Sequence, residues 1–186
     1  MVEEIHNCGS IQTKPPSFFF QPGVGVGSKV LILGESLARN GWVNSGKAFY
    51  TPEGKLVPTG KRLNEELAGL NLTLERCAFT EIAKCYIGNN RKILKSCGLR
   101  SGDHLLSQVS TYPIKIIFSL GVITKDILEE VFGVKLVIGE INPVVYQYKK
   151  LFILPLWHPS PASPHGHNKN LEIILNKRNK IKRILL

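Results

Sequence analysis

The hydrophobic positions are concentrated in four short continuous runs, and each run predicts a β-strand that is buried on both faces. The runs are KVLILGES at 29–36, CAFTEIAKC at 77–85, IKIIFSLG at 114–121 and KLFILPLW at 150–157. A strand with one face in water would alternate apolar and polar residues, whereas these runs are nearly all apolar. The pattern is therefore typical of a parallel sheet that is covered on both sides.

Segments with helical spacing of apolar residues separate and follow these runs. They predict helices over 58–70, 101–111, 122–133 and 168–186, with a hairpin-type excursion at 135–150. Strands that alternate with helices indicate an α/β protein. We expect one domain over 1–186, a three-layer α/β/α fold with a central, mainly parallel four-stranded sheet. Residues 1–28 are rich in turn formers and predict an N-terminal arm.

Unusual polar segments follow each predicted strand. They are GESLARNGWVNSGKAFY, CYIGNNR, GVIT and WHPSPAS. Ligands of parallel α/β sheets bind beyond the carboxyl ends of the strands. We therefore expect these four loops to form one site, with His158 held in a stiff, proline-braced turn.

The charge balance points to a polyanionic partner. The 186 residues include 24 Lys and Arg against 14 Asp and Glu, a net charge of +10. Such a field favours nucleic acid. The first ten residues have two acids and no apolar run, and no run is long enough to span a bilayer. We expect a cytoplasmic protein without a membrane partner, in which cysteines are free, catalytic or metal-bound.

An ordered set of motifs resembles the uracil-DNA glycosylase superfamily, particularly its iron–sulfur-containing bacterial and archaeal branch. The motifs are Pro22-Gly23-Val24-Gly25, Gly34-Glu35-Ser36-Leu37-Ala38, Gly46-Lys47-Ala48-Phe49, Thr80-Glu81-Ile82-Ala83-Lys84-Cys85, Asn90-Arg91, Cys97 and His158-Pro159-Ser160. The resemblance covers nearly the whole chain. It implies a monomeric, monofunctional DNA glycosylase that removes uracil or a related deaminated base and initiates base excision repair.

The resemblance also implies roles for individual residues. Phe49 would stack on a flipped base, and His158 would donate a hydrogen bond to the base oxygen that gains negative charge. Glu35 would orient water or stabilise the sugar cation, and Ser36 follows it in the substrate-binding motif. The acidic pair that usually follows this motif is replaced by RNGW. Either Glu35 or Asn40 could then lie nearest the attacking water.

Two pocket residues and five DNA contacts complete the set implied by the resemblance. Asn90 matches a pocket asparagine, whereas Glu81 replaces the asparagine that the family usually carries. An ionised carboxylate only accepts hydrogen bonds, so Glu81 is either protonated or turned away, and we expect altered or broadened base specificity. The residues expected to contact DNA phosphates are Lys47, Lys84, Arg91, Ser160 and Ser163.

The cysteines form a partial iron–sulfur signature. Cys8, Cys85 and Cys97 match three of the four ligands of the family branch, and His6 could complete the set because His can ligate cluster iron. Three protein ligands, or no cluster, are the alternatives. Cys77 lies eight residues before Cys85 on the same predicted strand and is expected to be a core residue. A [4Fe–4S] cluster would be structural, since the hydrolysis needs no cofactor.

The sequence is also compatible with two other functions. The altered first motif would suit a non-catalytic module that binds damaged DNA on the same scaffold. A fold of this type also permits an enzyme that acts on a nucleotide or on RNA.

Overall fold

A six-stranded sheet forms the centre of the protein. The computed structural model describes residues 16–87 and 90–186, with only the backbone described at Pro16, Ser17, Arg39, Asn40, Arg91 and Pro164. The strands are β1 (Phe20–Gln21), β2 (Val30–Ser36), β3 (Ala78–Ala83), β4 (Ile116–Leu120), β5 (Asn142–Tyr146) and β6 (Lys149–Leu156).

The strand order is β1-β3-β2-β4-β6-β5, with four parallel strands in the middle. These four correspond to the four apolar runs, which confirms the α/β class and the parallel centre. The predicted strand number was wrong, because β1 and β5 add an antiparallel strand at each edge. β1 has only two residues, too few to show a period, and β5 is the first arm of a hairpin whose second arm is β6 itself.

Helices cover both faces of the sheet, as predicted. They are α1 (Pro58–Ala68), α2 (Leu94–Arg100), α3 (Gly102–Thr111), α4 (Val122–Phe132) and α5 (Pro164–Leu185). Apolar residues of α1 and α5 pack in one core cluster with one face of the sheet. Those of α3 and α4 pack in a second cluster with the other face. No helix in the described part of the chain is long and apolar enough to cross a membrane.

The connections bring the ends of the central strands together. β2 is paired with β3 on one side and with β4 on the other, so the chain reverses its direction of winding at β2. Such a switch point leaves a crevice at the carboxyl ends of the strands. The register places Gly34 opposite Glu81 and Leu120 opposite Leu156, so the loops that begin after β2, β4 and β6 start side by side.

Candidate active site

A cavity of about 680 Å³ lies at the carboxyl edge of the parallel strands. Its volume falls in the range of roughly 300–1,000 Å³ that is usual for small-molecule pockets. The residues that line it come from β2, β3 and β4 and from the loops after β2, β3 and β6, together with the start of α1. They are Gly34, Glu35, Ser36, Leu37, Ala38, Gly41, Trp42, Phe49, Val57, Pro58, Thr59, Glu81, Tyr86, Leu120, His158 and Ser160.

Phe49 is fixed in the wall of this cavity by three neighbours. Its backbone has φ +61°, a left-handed conformation that non-glycine residues rarely adopt. The Val57 N–H donates to the Phe49 carbonyl at 2.8 Å, and the rings of Phe49 and Phe79 meet edge-on with centroids 4.5 Å apart. A Cβ on Gly60 would stand only 2.8 Å from the Phe49 Cβ. The surrounding structure therefore enforces the strained backbone, as is common at functional sites.

Glu35 and His158 approach each other across Gly121. Gly121 follows β4 with φ +95°, and a Cβ there would stand 2.7 Å from Glu35 Oε1 and 3.5 Å from the His158 Cβ. The absence of a side chain at Gly121 thus leaves room for both residues. The carboxylate and the imidazole come from β2 and from the loop after β6, which is the convergence that the parallel topology predicts.

The loop that carries His158 also fixes the orientation of its ring. The Ser160 N–H donates to His158 Nδ1 at 3.2 Å, and Ser160 Oγ accepts from the Ala162 N–H at 3.2 Å. When Nδ1 accepts, the proton of a neutral imidazole is on Nε2. The turn therefore prepares Nε2 as a hydrogen-bond donor.

Glu81 is the one acidic residue of β3 and is almost fully buried, with 6% of its surface exposed. Its Oε2 atom is packed against the Cα of Gly34 and has no hydrogen-bond partner within the described residues. Burial raises the pKa of Glu81 well above the usual carboxyl range; the positive charge of Lys84 opposes the rise and the charge of Glu35 adds to it. A neutral carboxyl, with one donor and one acceptor, is therefore favoured at this wall of the cavity.

Lys84 does not take the position that the sequence predicted. Its side chain is fully buried, and Nζ donates to Thr80 Oγ1 and, at 3.4 Å, to Gln108 Oε1. Burial lowers the pKa of Lys84 to about 7, and the nearby Glu81 carboxyl opposes that effect. The prediction that Lys84 contacts a DNA phosphate was therefore wrong, because polar partners on β3 and α3 hold the amine inside the protein.

Comparison with known proteins assigns this fold and site to a family. A sequence profile of the Uracil DNA glycosylase superfamily matches residues 22–180. The chain belongs to this superfamily. The match spans all the cavity-lining residues, most of α5 and every strand but the two-residue β1.

Two archaeal proteins are similar to this member of the superfamily. The type-4 uracil-DNA glycosylase of Archaeoglobus fulgidus is 26% identical over 166 residues, which are 86% of this chain and 80% of that protein. The type-4 uracil-DNA glycosylase of Saccharolobus solfataricus is 28% identical over 147 residues, 76% of this chain and 65% of that protein. Both are named as uracil-DNA glycosylases, in agreement with the superfamily match.

Some residues of the superfamily motifs lie together at the cavity and others do not. Glu35, Ser36, Phe49, Glu81 and His158 all line the cavity. Asn90 does not: its side chain is exposed, and its backbone N–H bonds to the Ile87 carbonyl in a turn at 2.9 Å. Asn90 is therefore not among the lining residues of this cavity, and its predicted role stays a prediction.

Several predicted DNA contacts lie near the cavity. Ser160 lines it and Ser163 is partly exposed in the same turn. Lys47 is exposed beside Phe49, with Nζ 4.0 Å from the centre of the Tyr50 ring. The side chains of Asn40 and Arg91 lie outside the described part, so their predicted roles stay predictions.

Two of the predicted cluster ligands are described. Cys85 and Cys97 are fully buried and share a small apolar cluster with Ala83, Ile87 and Leu94, and neither forms a disulfide. Cys77 is buried in a different cluster, as expected of a core residue, and burial raises its pKa to about 12. His6 and Cys8 lie outside the described residues. The structure therefore brings two of the four predicted ligands into one small cluster, and their ligation of iron stays a prediction.

The sequence reasoning missed two groups of lining residues. Trp42 and Tyr86 are the aromatic ones, and Pro58 and Thr59 bring the start of α1 to the cavity. Tyr86 was accessible to sequence reasoning, because it stands in the loop directly after β3. Trp42 lies in the irregular segment Arg39–Val43, in which Gly41 breaks the helical geometry, and no periodic pattern identifies such a segment.

Proposed function

We propose that this protein is a monofunctional DNA glycosylase that hydrolyses the N-glycosidic bond of uracil or a related deaminated base. The observation that carries the proposal is the convergence of Glu35, Phe49, Glu81 and His158 on one cavity at the switch point of the sheet. Superfamily membership and two relatives named type-4 uracil-DNA glycosylase support the same chemistry.

The part of the substrate that would enter the cavity is the base. A glycosylase must rotate the target nucleotide out of the duplex, because the bond is inaccessible within the stack. Phe49 offers a flat face to the extruded base. His158 Nε2 donates to the base oxygen that gains negative charge as the bond breaks, a type of stabilisation that needs no reorganisation when the donor is already fixed.

Hydrolysis breaks the bond between C1′ and the base nitrogen and adds water oxygen to C1′. The bonding electrons leave with the base, which recovers a proton, and an abasic sugar results. Glu35 is the described carboxylate that could orient the water or stabilise the positive sugar. The side chain of Asn40 is the second candidate for the water.

Glu81 is proposed as a reader of the base edge. As a neutral carboxyl it would offer one donor and one acceptor, the same pair that an asparagine amide offers. Uracil and hypoxanthine both present an N–H beside a carbonyl oxygen and would match that pair. An ionised carboxylate would instead face the carbonyl with like polarity. Because the carboxyl offers this pair only while it is protonated, unlike an amide, the proposal retains the expectation that base specificity is altered or broadened.

The test is single-turnover excision from labelled oligonucleotides that carry uracil, hypoxanthine or xanthine, in single strands and in mispairs. Alkali then cleaves each abasic site. The wild type and Glu81→Asn are compared on every substrate. We expect excision by both with a changed ratio of rates between bases, and an unchanged ratio would remove Glu81 from the recognition scheme.

DNA is the proposed partner, bound through its phosphates. The net charge of +10 favours the approach to a polyanion. Lys47, Ser160 and Ser163 are the described residues near the cavity that would contact the backbone. Arg91 belongs to the same proposal from its sequence motif. A monomer and a cytoplasmic location complete the proposal.

A structural [4Fe–4S] cluster is proposed as well. Cys85 and Cys97 would supply two ligands, and Cys8 with His6 would supply ligands from the arm. Both described cysteines are buried in the same small cluster, in keeping with such a site. The cluster would fasten the arm to the domain and would take no part in hydrolysis.

A damaged-DNA-binding module without catalysis is the second candidate. The departure of RNGW from the acidic pair of the family favours it. Retained DNA binding without excision of any base, by a folded protein, would support this module and overturn the glycosylase proposal.

A further inference from the structure

The backbone immediately before His158 is held by one buried amide side chain. Asn170 of α5 is fully buried. Its Oδ1 accepts from the Trp157 N–H at 2.9 Å, and its Nδ2 donates to the Trp157 carbonyl at 2.8 Å. One side chain thus satisfies both the backbone N–H and the backbone C=O of Trp157. Trp157 directly follows the end of β6 at Leu156, so these two groups are not part of the β6 strand pairing.

Asn170 is oriented in turn by a buried carboxylate. Its Nδ2 donates to both oxygens of Glu66 of α1, each at 3.2 Å, and Glu66 has no exposed surface. His167 Nδ1 lies 2.8 Å from Glu66 Oε1, and its Nε2 lies 3.1 Å from Glu65 Oε2. Because the Glu66 carboxylate only accepts hydrogen bonds, it attracts Nδ2 of Asn170 rather than Oδ1. This orientation leaves Oδ1 to accept from the Trp157 N–H and lets Nδ2 donate to the Trp157 carbonyl.

Two further contacts hold the same loop. Gly166, in the first turn of α5, packs so closely that a Cβ there would stand 2.9 Å from the His158 carbonyl oxygen. Arg62 of α1 donates from Nη1 to the Ser160 carbonyl at 2.9 Å. The loop is therefore clamped between two helices, with Asn170 making its two backbone hydrogen bonds on the strand side.

We propose that Asn170, oriented by Glu66, is a positioning residue that sets the location of the His158 imidazole. The proposal rests on the proposed role of His158 as the donor to the leaving base. Asn170 does not line the cavity and acts only through the Trp157 backbone. A donor must match the position of the developing charge, and an error of about 1 Å can lower a rate about 10²-fold.

The substitution Asn170→Asp tests this with almost no change in shape. The carboxylate loses the donor that faces the Trp157 carbonyl and meets the Glu66 carboxylate instead. Asn168→Asp is the matched control, because Asn168 is exposed on the same helix and the charge change is identical. The double variant Asn170→Asp/Glu66→Gln restores a donor opposite the introduced carboxylate.

The first measurement is the single-turnover rate constant for uracil excision together with the Kd for the same DNA. We expect Asn170→Asp to lower the rate constant about 10–100-fold, with little change in Kd. Asn168→Asp should match the wild type, and the double variant should recover part of the loss. A merely structural role would reduce the active fraction, hence the amplitude, and would leave the rate constant unchanged; that outcome overturns the proposal.

The second measurement does not depend on excision. Hydrogen exchange of the Trp157 amide reports the Asn170 bond directly, and the His158 ring resonances report its surroundings. In Asn170→Asp the lost bond to the Trp157 carbonyl and the repulsion from Glu66 should displace the loop, so shifted His158 resonances are expected. An aspartate still accepts from the Trp157 N–H, so faster exchange of that amide is expected in Asn170→Ala, which lacks the acceptor, whether or not uracil is a substrate. Unchanged exchange and resonances overturn the inference, whereas absent excision by the wild type and by Asn168→Asp would refute the proposed function alone.

Discussion

Glu81 occupies the space that a side chain at Gly34 would need. The two residues are direct partners in the β2–β3 ladder, and a Cβ at position 34 would overlap Oε2 of Glu81. The carboxyl is therefore held against the floor of the cavity by the strand beside it. Position 34 accepts only glycine as long as position 81 carries this side chain in this rotamer.

Gly34→Ala should force Glu81 out of its site. We expect a loss of roughly 1–3 kcal/mol in the free energy of unfolding, as for overpacking in a core. The double variant Gly34→Ala/Glu81→Ala should regain much of the loss, since the overlapping atoms are gone. Urea unfolding of the four proteins in a double-mutant cycle measures the coupling, and strictly additive effects would contradict the overlap.

Glu81→Gln should change how stability depends on pH. The buried carboxyl has a pKa raised above its unfolded value, so the folded state binds more protons and wild-type stability falls as pH rises towards the folded pKa. Glutamine is neutral throughout and lacks this loss. The difference in the free energy of unfolding, variant minus wild type, should therefore increase as the pH rises from the ordinary carboxyl pKa of about 4.3 towards the raised pKa of the folded state. A constant difference would argue for an ionised Glu81.

His158→Ala should slow excision by about 10²–10³-fold while DNA binding persists, which is the usual effect of removing a donor to a developing charge. His165→Ala is the control, because His165 is exposed in the first turn of α5 and does not line the cavity. Single-turnover rates and binding isotherms are compared for both variants. Equal rates for His158→Ala and His165→Ala would remove the imidazole from the mechanism.

Gly121→Ala should impair the site beyond its effect on the backbone. Gly121 and Gly133 flank α4 and both have positive φ, +95° and +65°. Alanine at either position should lower stability by roughly 1 kcal/mol. Only Gly121→Ala pushes against Glu35 and His158, since no atom lies within 4 Å of a Cβ at Gly133. Excision should fall for Gly121→Ala alone, and a similar fall for Gly133→Ala would assign the effect to backbone strain.

Cys97→Ala should remove iron from the protein and Cys77→Ala should not. Both cysteines are buried, so the two substitutions create small cavities of the same kind, but they lie in different core clusters. Iron content and absorption near 400 nm are measured after anaerobic purification. Iron-free wild-type protein would refute the cluster, and loss of iron from both variants would point to a general effect of unfolding.

The parallel centre of the fold was predictable because its strands are buried on both faces and leave an uninterrupted apolar signal. Glu35 and His158 were predictable for a related reason. Glu35 stands at the end of such a run, His158 directly follows another, and parallel strands end at one edge of the sheet. Glu81 was predicted at the cavity from its motif, and the ladder with Gly34 explains how the side chain reaches it.

The sequence did not predict the burial of polar side chains whose hydrogen-bond partners are far away along the chain. Lys84 looks like a surface cation, and its true environment depends on Gln108, which is 24 residues away on α3. Asn170 looks like one more polar residue of a basic helix, and only the packing of α5 against α1 reveals its bonds to Glu66 and Trp157. The short edge strand β1 gave no signal because two residues show no alternation.

The left-handed backbone of Phe49 has a consequence for affinity. A free phenylalanine side chain in a loop would lose conformational entropy when it stacks on a base, and binding would be weakened by that amount. Here Phe79 packs against the ring, while Val57 bonds to the Phe49 carbonyl and Gly60 lies against the Phe49 Cβ. Much of this entropy is therefore lost when the chain folds. On the proposed function, folding stability and affinity for an extruded base are thus linked, and sequence changes that relax this strained loop should stabilise the free protein while they weaken its complex with DNA.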